Sequence, residues 1–137
     1  MTARYLIAKY IPDLLRNEPR NIGVILWSEF KTVARFWASD HHGDMDKRKI
    51  PSWISPESTY VQWVKTWFRL INQNEMKFIG EGTIAKSTTP EFTKALLTSS
   101  NGNYVLQEGG EIFEEITEKN ILSALDYLYR TLVREEQ

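Results

Sequence analysis

No cysteine occurs in the 137-residue chain, which excludes disulfides, thiolate metal sites and cysteine nucleophiles and suits a reducing compartment. Long apolar stretches are also missing. The longest unbroken run, counting glycine, is IGVILW, far below the roughly 20 residues a membrane helix needs. The opening MTARYLIAKYIPD has neither the apolar centre nor the small-residue cleavage site of a secretory signal. A cytoplasmic protein with no membrane span is therefore expected. Basic charge is not in excess: 17 lysines and arginines face 18 acids, for a formal net charge of −1. Broad, non-specific phosphate attraction is thereby disfavoured, although a local basic patch is compatible with it.

The standard catalytic and cofactor signatures are absent too. There is no Gly-x-Ser-x-Gly elbow, and the glycine pairs GEG at 80–82 and EGGE at 108–111 lack phosphate-loop or dinucleotide-loop spacing. Both read as turns or bulges, and no cofactor is expected. Histidine is confined to His41 and His42. The acids Glu114 and Glu115 stand just ahead of a helix start, where they suit its dipole better than an acid/base pair.

What is present is an ordinary globular composition, 42% hydrophobic and 26% charged, in a length that fits one domain with a single core. RYLIAKYI at 4–11, the run at 22–27 and TVARFW at 32–37 read as strands with short connections, an antiparallel meander over about 4–37. Arg35, between apolar neighbours, predicts that one sheet face meets water.

Ser55-Pro56-Glu57 opens a helix over about 56–71, with serine as N-cap and proline in the first turn. Its apolar arc of Tyr60, Val61, Trp63, Val64, Trp67, Phe68, Leu70 and Ile71 spans roughly 180° at 100° per residue. Residues 77–85 read as a glycine-interrupted strand or hairpin. Thr89-Pro90-Glu91 opens a short helix through about Leu97, and YVLQ at 104–107 is a further strand.

A final helix over about 118–134 has Thr117 as N-cap, an Ile116–Ile121 staple and an apolar stripe through Leu125, Leu128 and Leu132. Asp126 and Arg130 are spaced to pair. The predicted fold is α+β, an antiparallel sheet of about four to five strands with two main helices packed on one face. The bare face is then the natural seat of a partner or a second copy.

RNEPRNIGVILWS at 16–28 sets Arg20, Asn21 and Gly23 at the threshold of a strand. One reading is structural: Asn21 bonds nearby backbone and Gly23 permits a bulge or close approach. The other makes Arg16, Glu18, Arg20 and Asn21 a binding surface. The same residues carry a resemblance. Arg4, Tyr5, Tyr10, Pro12, Glu18 and Asn21-Ile22-Gly23-Val24, with the leucine-rich terminal helix LSALDYLYRTLV, resemble the small bacterial family DUF3037. That likeness implies an accessory or partner role, since members are often encoded beside HipA-like kinases. It brings no catalytic residues.

Three functional readings follow. The favoured one is a non-enzymatic protein-interaction domain, partnered by a kinase or by its own copy, using Trp53, Trp63 and the Arg16–Asn21 turn, because aromatic and arginine side chains dominate interfaces. Trp27, Trp37 and Trp67 read as core. The second is a metal-dependent hydrolase or nuclease holding an ion with His41, His42, Asp44 and Asp46, set against the plainer reading of DHHGDMD as a solvated loop. There, adjacent histidines in extended chain point apart and the following DKRK repels a cation. The third is a nucleic-acid binder using Lys47, Arg48, Lys49 and Trp53, the less favoured alternative.

Overall fold

A computed structural model describes residues 3–12, 18–28, 31–73, 75–77, 84–86, 103–112 and 114–133. Strands β1 (Ala3–Tyr10), β2 (Arg20–Trp27) and β3 (Thr32–Phe36) are followed by helix α1 (Glu57–Gln73), strands β4 (Glu75–Lys77), β5 (Ile84–Lys86) and β6 (Tyr104–Ile112), and helix α2 (Ile121–Leu132). The fold is α+β. An antiparallel sheet runs β3-β2-β1-β6, and β4 and β5 form a separate two-stranded ribbon. The meander and the hairpin near 77–85 are thus observed. The helix expected from Thr89 to Leu97 lies outside the described residues, as do residues 78–83 with their GEG pair.

Pairing fixes which side chains share a face, because partners across a ladder point the same way and neighbours along a strand point oppositely. Leu6 pairs with Ile25, Ala8 with Gly23 and Leu106, and Gly23 with Phe36. On the other face Ile7 pairs with Val24, Val24 with Arg35, and Leu26 with Val33. The Phe36 ring meets Trp63 at 5.3 Å and Phe68 at 5.6 Å, both on α1. Its neighbour Arg35 reaches α2, with its guanidinium 4.3 Å from the Tyr129 ring centroid and Nη1 3.1 Å from Asp126 Oδ1.

The two helices therefore cover opposite faces, not one face as expected. Each face of the sheet carries a helix, with α2 over β2 and β3. The reason is in the composition of β2, where Ile22, Val24, Ile25 and Leu26 are all fully buried. A strand apolar at consecutive positions is the mark of a sheet covered twice. Arg35 does not signal a wet face either. It lies between sheet and helix, and it takes the Asp126 carboxylate that was expected to pair with Arg130. Arg130 instead donates from Nε to the Asp126 main-chain carbonyl at 3.3 Å.

The layer under α1 is aromatic: Trp63 stacks on Tyr104 at 4.6 Å, and Tyr60 stacks on Trp63 at 6.2 Å. The layer under α2 is mainly aliphatic, with Ile121, Leu125 and Leu128 buried there. Each such side chain contributes about 1.5–3 kcal/mol.

Two glycines answer to close approaches. A Cβ on Gly23 would lie 2.3 Å from Phe36 Cδ1, so the ring crosses the strand where no side chain stands. Of the turn or bulge expected at EGGE, the bulge is observed: residues 108–111 continue β6 through a register shift, with the Tyr5 ring against Gly109, where a Cβ would clash with it.

The helix starts are also refined. α1 begins at Glu57, and the backbone of Ser55 is held by Tyr10, whose hydroxyl donates to the Ser55 carbonyl at 2.9 Å and accepts its N–H at 3.2 Å. The first α-type bond of α1 runs from Tyr60 N–H to the Pro56 carbonyl at 3.3 Å, so proline, not serine, stands at the cap. Ahead of α2, Thr117 Oγ1 accepts the Asn120 N–H at 3.3 Å while Asn120 Oδ1 accepts the Thr117 N–H at 2.7 Å. This is a reciprocal capping pair with asparagine in place of glutamate.

Candidate functional site

The antiparallel order gathers the end of β1, the start of β2, the end of β3 and the start of β6 at one end of the sheet. There Ile11 N–H donates to the Asn103 carbonyl at 2.8 Å and Trp37 N–H to the Ile22 carbonyl at 2.7 Å. Residues 37–55 fold across this end. Most of the surface residues singled out in the sequence, 18–21 and 40–53, are thereby brought into one neighbourhood.

The first half of that crossing is a hairpin, not an extended loop. Ser39 pairs with Met45, the Asp40 N–H donates to the Asp44 carbonyl at 3.1 Å, and Ala38 enters the turn with a left-handed φ of 66°. Asp40 Oδ1 accepts the N–H groups of His42 at 2.9 Å and Asp44 at 3.0 Å. Partial burial pushes the Asp40 carboxyl upward, but these main-chain bonds, aided by the nearby imidazoles, leave it below the ordinary carboxylate range. His41 and His42 do not point apart. The hairpin brings their ring centroids to 4.0 Å.

The second half is a short 3-10 turn, Lys47–Lys49, capped by Asp46. Asp46 Oδ1 takes the main-chain N–H of Arg48 at 3.1 Å and its Nε at 3.0 Å, and Oδ2 takes Nη2 at 3.1 Å. The Arg48 side-chain bonds hold the Asp46 carboxyl low. Asp46, one of the four candidate ligands, and the adjoining Asp40 thus shape the backbone that carries them. Among the described residues no group of three or more His, Asp or Glu side chains is placed to hold a metal ion. Under the hairpin lies a cavity of about 320 Å³, whose lining includes Arg35, Asp40, Asp44, Asp46 and Lys49.

Trp53 sits where the crossing segment meets the sheet. Its ring makes an edge contact with Trp37 at 5.2 Å and tilts against Tyr10 at 6.2 Å. The guanidinium carbon of Arg20 lies 4.0 Å from its centroid. Trp37 is fixed in turn by its Nε1–H, which donates to the Lys49 carbonyl at 3.1 Å. No family model, curated protein or solved structure matches the chain. The site is therefore read from its own geometry.

That geometry separates the sequence candidates. Arg20 and Trp53 meet, both half-buried, with exposed Glu18 two residues ahead of Arg20. Asn21 is turned to the opposite face, where its Nδ2 donates to the Leu132 carbonyl at 2.9 Å and ties β2 to the end of α2. Trp63 belongs to the α1 aromatic layer. Trp37 and Trp67 are buried as expected, 4% and 3% exposed; the Trp27 side chain and Arg16 lie outside what is described.

Two features went unread in the sequence. The Arg20–Trp53 stack joins residues 33 positions apart, and no local pattern encodes it. Tyr127, 64% exposed, did leave a trace, since it is an aromatic residue on the polar side of the α2 stripe.

Proposed function

We propose that this chain is a protein-interaction domain, an accessory to another enzyme, whose binding face is the sheet end presenting Arg20 on Trp53. The observation that carries the reading is the stack itself. Arginine and tryptophan are the residue types most enriched where interface energy concentrates. A guanidinium held on an indole face is pre-organised and loses little side-chain freedom on binding. The resemblance to DUF3037 supports a HipA-like kinase as the partner class.

The metal-hydrolase and nucleic-acid readings draw less from the site. Asp40 and Asp46 are engaged in shaping the hairpin and the 3-10 turn. One face of Trp53, which a base would stack on, already carries Arg20, and the guanidinium of Arg48 is clamped by Asp46.

Affinity purification of the tagged chain from its native cell tests the proposal, with wild type beside Arg20→Ala and a control, Thr131→Ala, on exposed α2 surface. A protein retained by wild type and control but depleted about tenfold or more by Arg20→Ala supports the face. Equal capture by all three refutes it.

A further inference from the structure

We infer that the cavity beneath the 38–46 hairpin is a binding site for a small zwitterion of the amino-acid class. Its carboxylate is held by Arg35 and Lys49, and its ammonium by Asp40 and Asp44. At about 320 Å³ the space lies at the lower end of the range, roughly 300–1,000 Å³, in which proteins hold small molecules. Its lining carries charge of both signs, and the hydrogen bonds around it show which charges are already spent.

Asp46 is spent, because both its carboxylate oxygens accept from the Arg48 guanidinium. Asp44 and Lys49 are exposed, and among the described residues neither side chain makes a hydrogen bond or an ion pair. Asp40 commits Oδ1 to the main-chain N–H groups of His42 and Asp44, which leaves Oδ2 over. Arg35 donates from Nη1 to Asp126 Oδ1 at 3.1 Å, while its Nε is buried without a partner. An acceptor brought to the cavity floor therefore meets an arginine whose donors are not all used. The hairpin also separates the two signs. Along the chain from β3, its rungs join Ala38 to Asp46, Ser39 to Met45 and Asp40 to Asp44. The uncommitted acids share the last rung, whereas Arg35 belongs to the strand and Lys49 follows the first rung.

This division decides the ligand. A simple anion drawn to Arg35 and Lys49 is repelled by Asp40 and Asp44, and a metal cation drawn to the acids is repelled by the two bases. A molecule carrying an ammonium and a carboxylate close together satisfies both ends through charge-assisted hydrogen bonds. Ala38 and Met45, also on the lining, give its carbon atoms an apolar wall. Arg20 and Trp53 do not line the cavity, so the inference stands apart from the protein-binding face.

Isothermal titration calorimetry of the full chain tests this, with each standard L-amino acid as titrant in turn. At least one should give a saturable heat. The matching amine, which lacks the carboxylate, and the matching acid, which lacks the ammonium, should each bind about tenfold or more weakly. Sodium phosphate and manganese chloride should give heats of dilution alone. Asp44→Asn and Lys49→Gln should each weaken the amino acid about tenfold or more, with far-UV circular dichroism unchanged because both side chains are exposed. Arg35 is kept in both variants, since it also ties α2 to the sheet. No saturable heat from any amino acid, a singly charged analogue that binds as well as its parent, saturable binding of manganese, or full affinity in either variant overturns the inference.

Discussion

Tyr104 opens β6 with its hydroxyl buried and without a hydrogen-bond partner. Such a group costs roughly 1–3 kcal/mol when left unsatisfied. Burial, with Tyr10 nearby, pushes its phenol up to about 12, against about 10 in an unfolded chain. The folded state thus holds this proton more tightly. The full stability contributed by the neutral phenol is present below about pH 10 and falls as pH rises toward 12. Tyr104→Phe should raise stability at neutral pH by about 1 kcal/mol and flatten the alkaline loss. Urea unfolding of both proteins at about pH 8 and about pH 11 reads both effects; a variant as alkali-sensitive as wild type would place the titration elsewhere.

Among elements, the β2–β3 pair shows how one missing side chain organises a layer. The absent Cβ of Gly23 lets Phe36 cross β2 and reach Trp63 and Phe68. Gly23→Ala sets a methyl group 2.3 Å from Phe36 Cδ1 and 3.0 Å from the Arg35 carbonyl, and the ring is fully buried with no room to retreat. A loss of about 1–3 kcal/mol is expected, read as a lower urea midpoint with unchanged slope.

The same element explains what could be read in advance. Strand and helix positions follow from runs of side chains, and both were legible within a few residues. The threshold glycine fits its structural reading of a close approach, whereas Asn21 donates to the distant Leu132 carbonyl and not to its neighbours. The placement of α2 is not legible in β3 alone, where Arg35 among Val33, Ala34 and Phe36 reads equally as the mark of a wet face. An arginine can lie between layers when a carboxylate and an aromatic face receive it. Which of turn or bulge EGGE forms was not legible, because the Tyr5 ring that crowds Gly109 is about a hundred residues away in sequence.

At the scale of the molecule, the sheet is a partition. Trp37, Trp53, Trp63 and Trp67 belong to the α1 side, while α2 seals its side chiefly with leucine, isoleucine and valine. The residues of the Arg20–Trp53 site were legible individually, as an arginine near a strand start and a tryptophan beside basic residues. Their meeting was not, since it depends on residues 37–55 folding back over the sheet end. The register shift between Ala8 and Lys9, which skips Ile22, contributes to the same outcome by setting Asn21 rather than Arg20 on the α2 face.

This segregation makes the chain its own optical gauge. In near-ultraviolet circular dichroism, which vanishes when aromatic rings lose fixed surroundings, the bands of the described tryptophan side chains report on the α1 half, while Tyr129 is buried on the α2 side. Trp63→Ala should erase much of the tryptophan signal. Leu125→Ala, a cavity of similar cost at about 2–4 kcal/mol, should lower the melting temperature yet spare the tryptophan bands, so that loosening of either half can be followed without an added label.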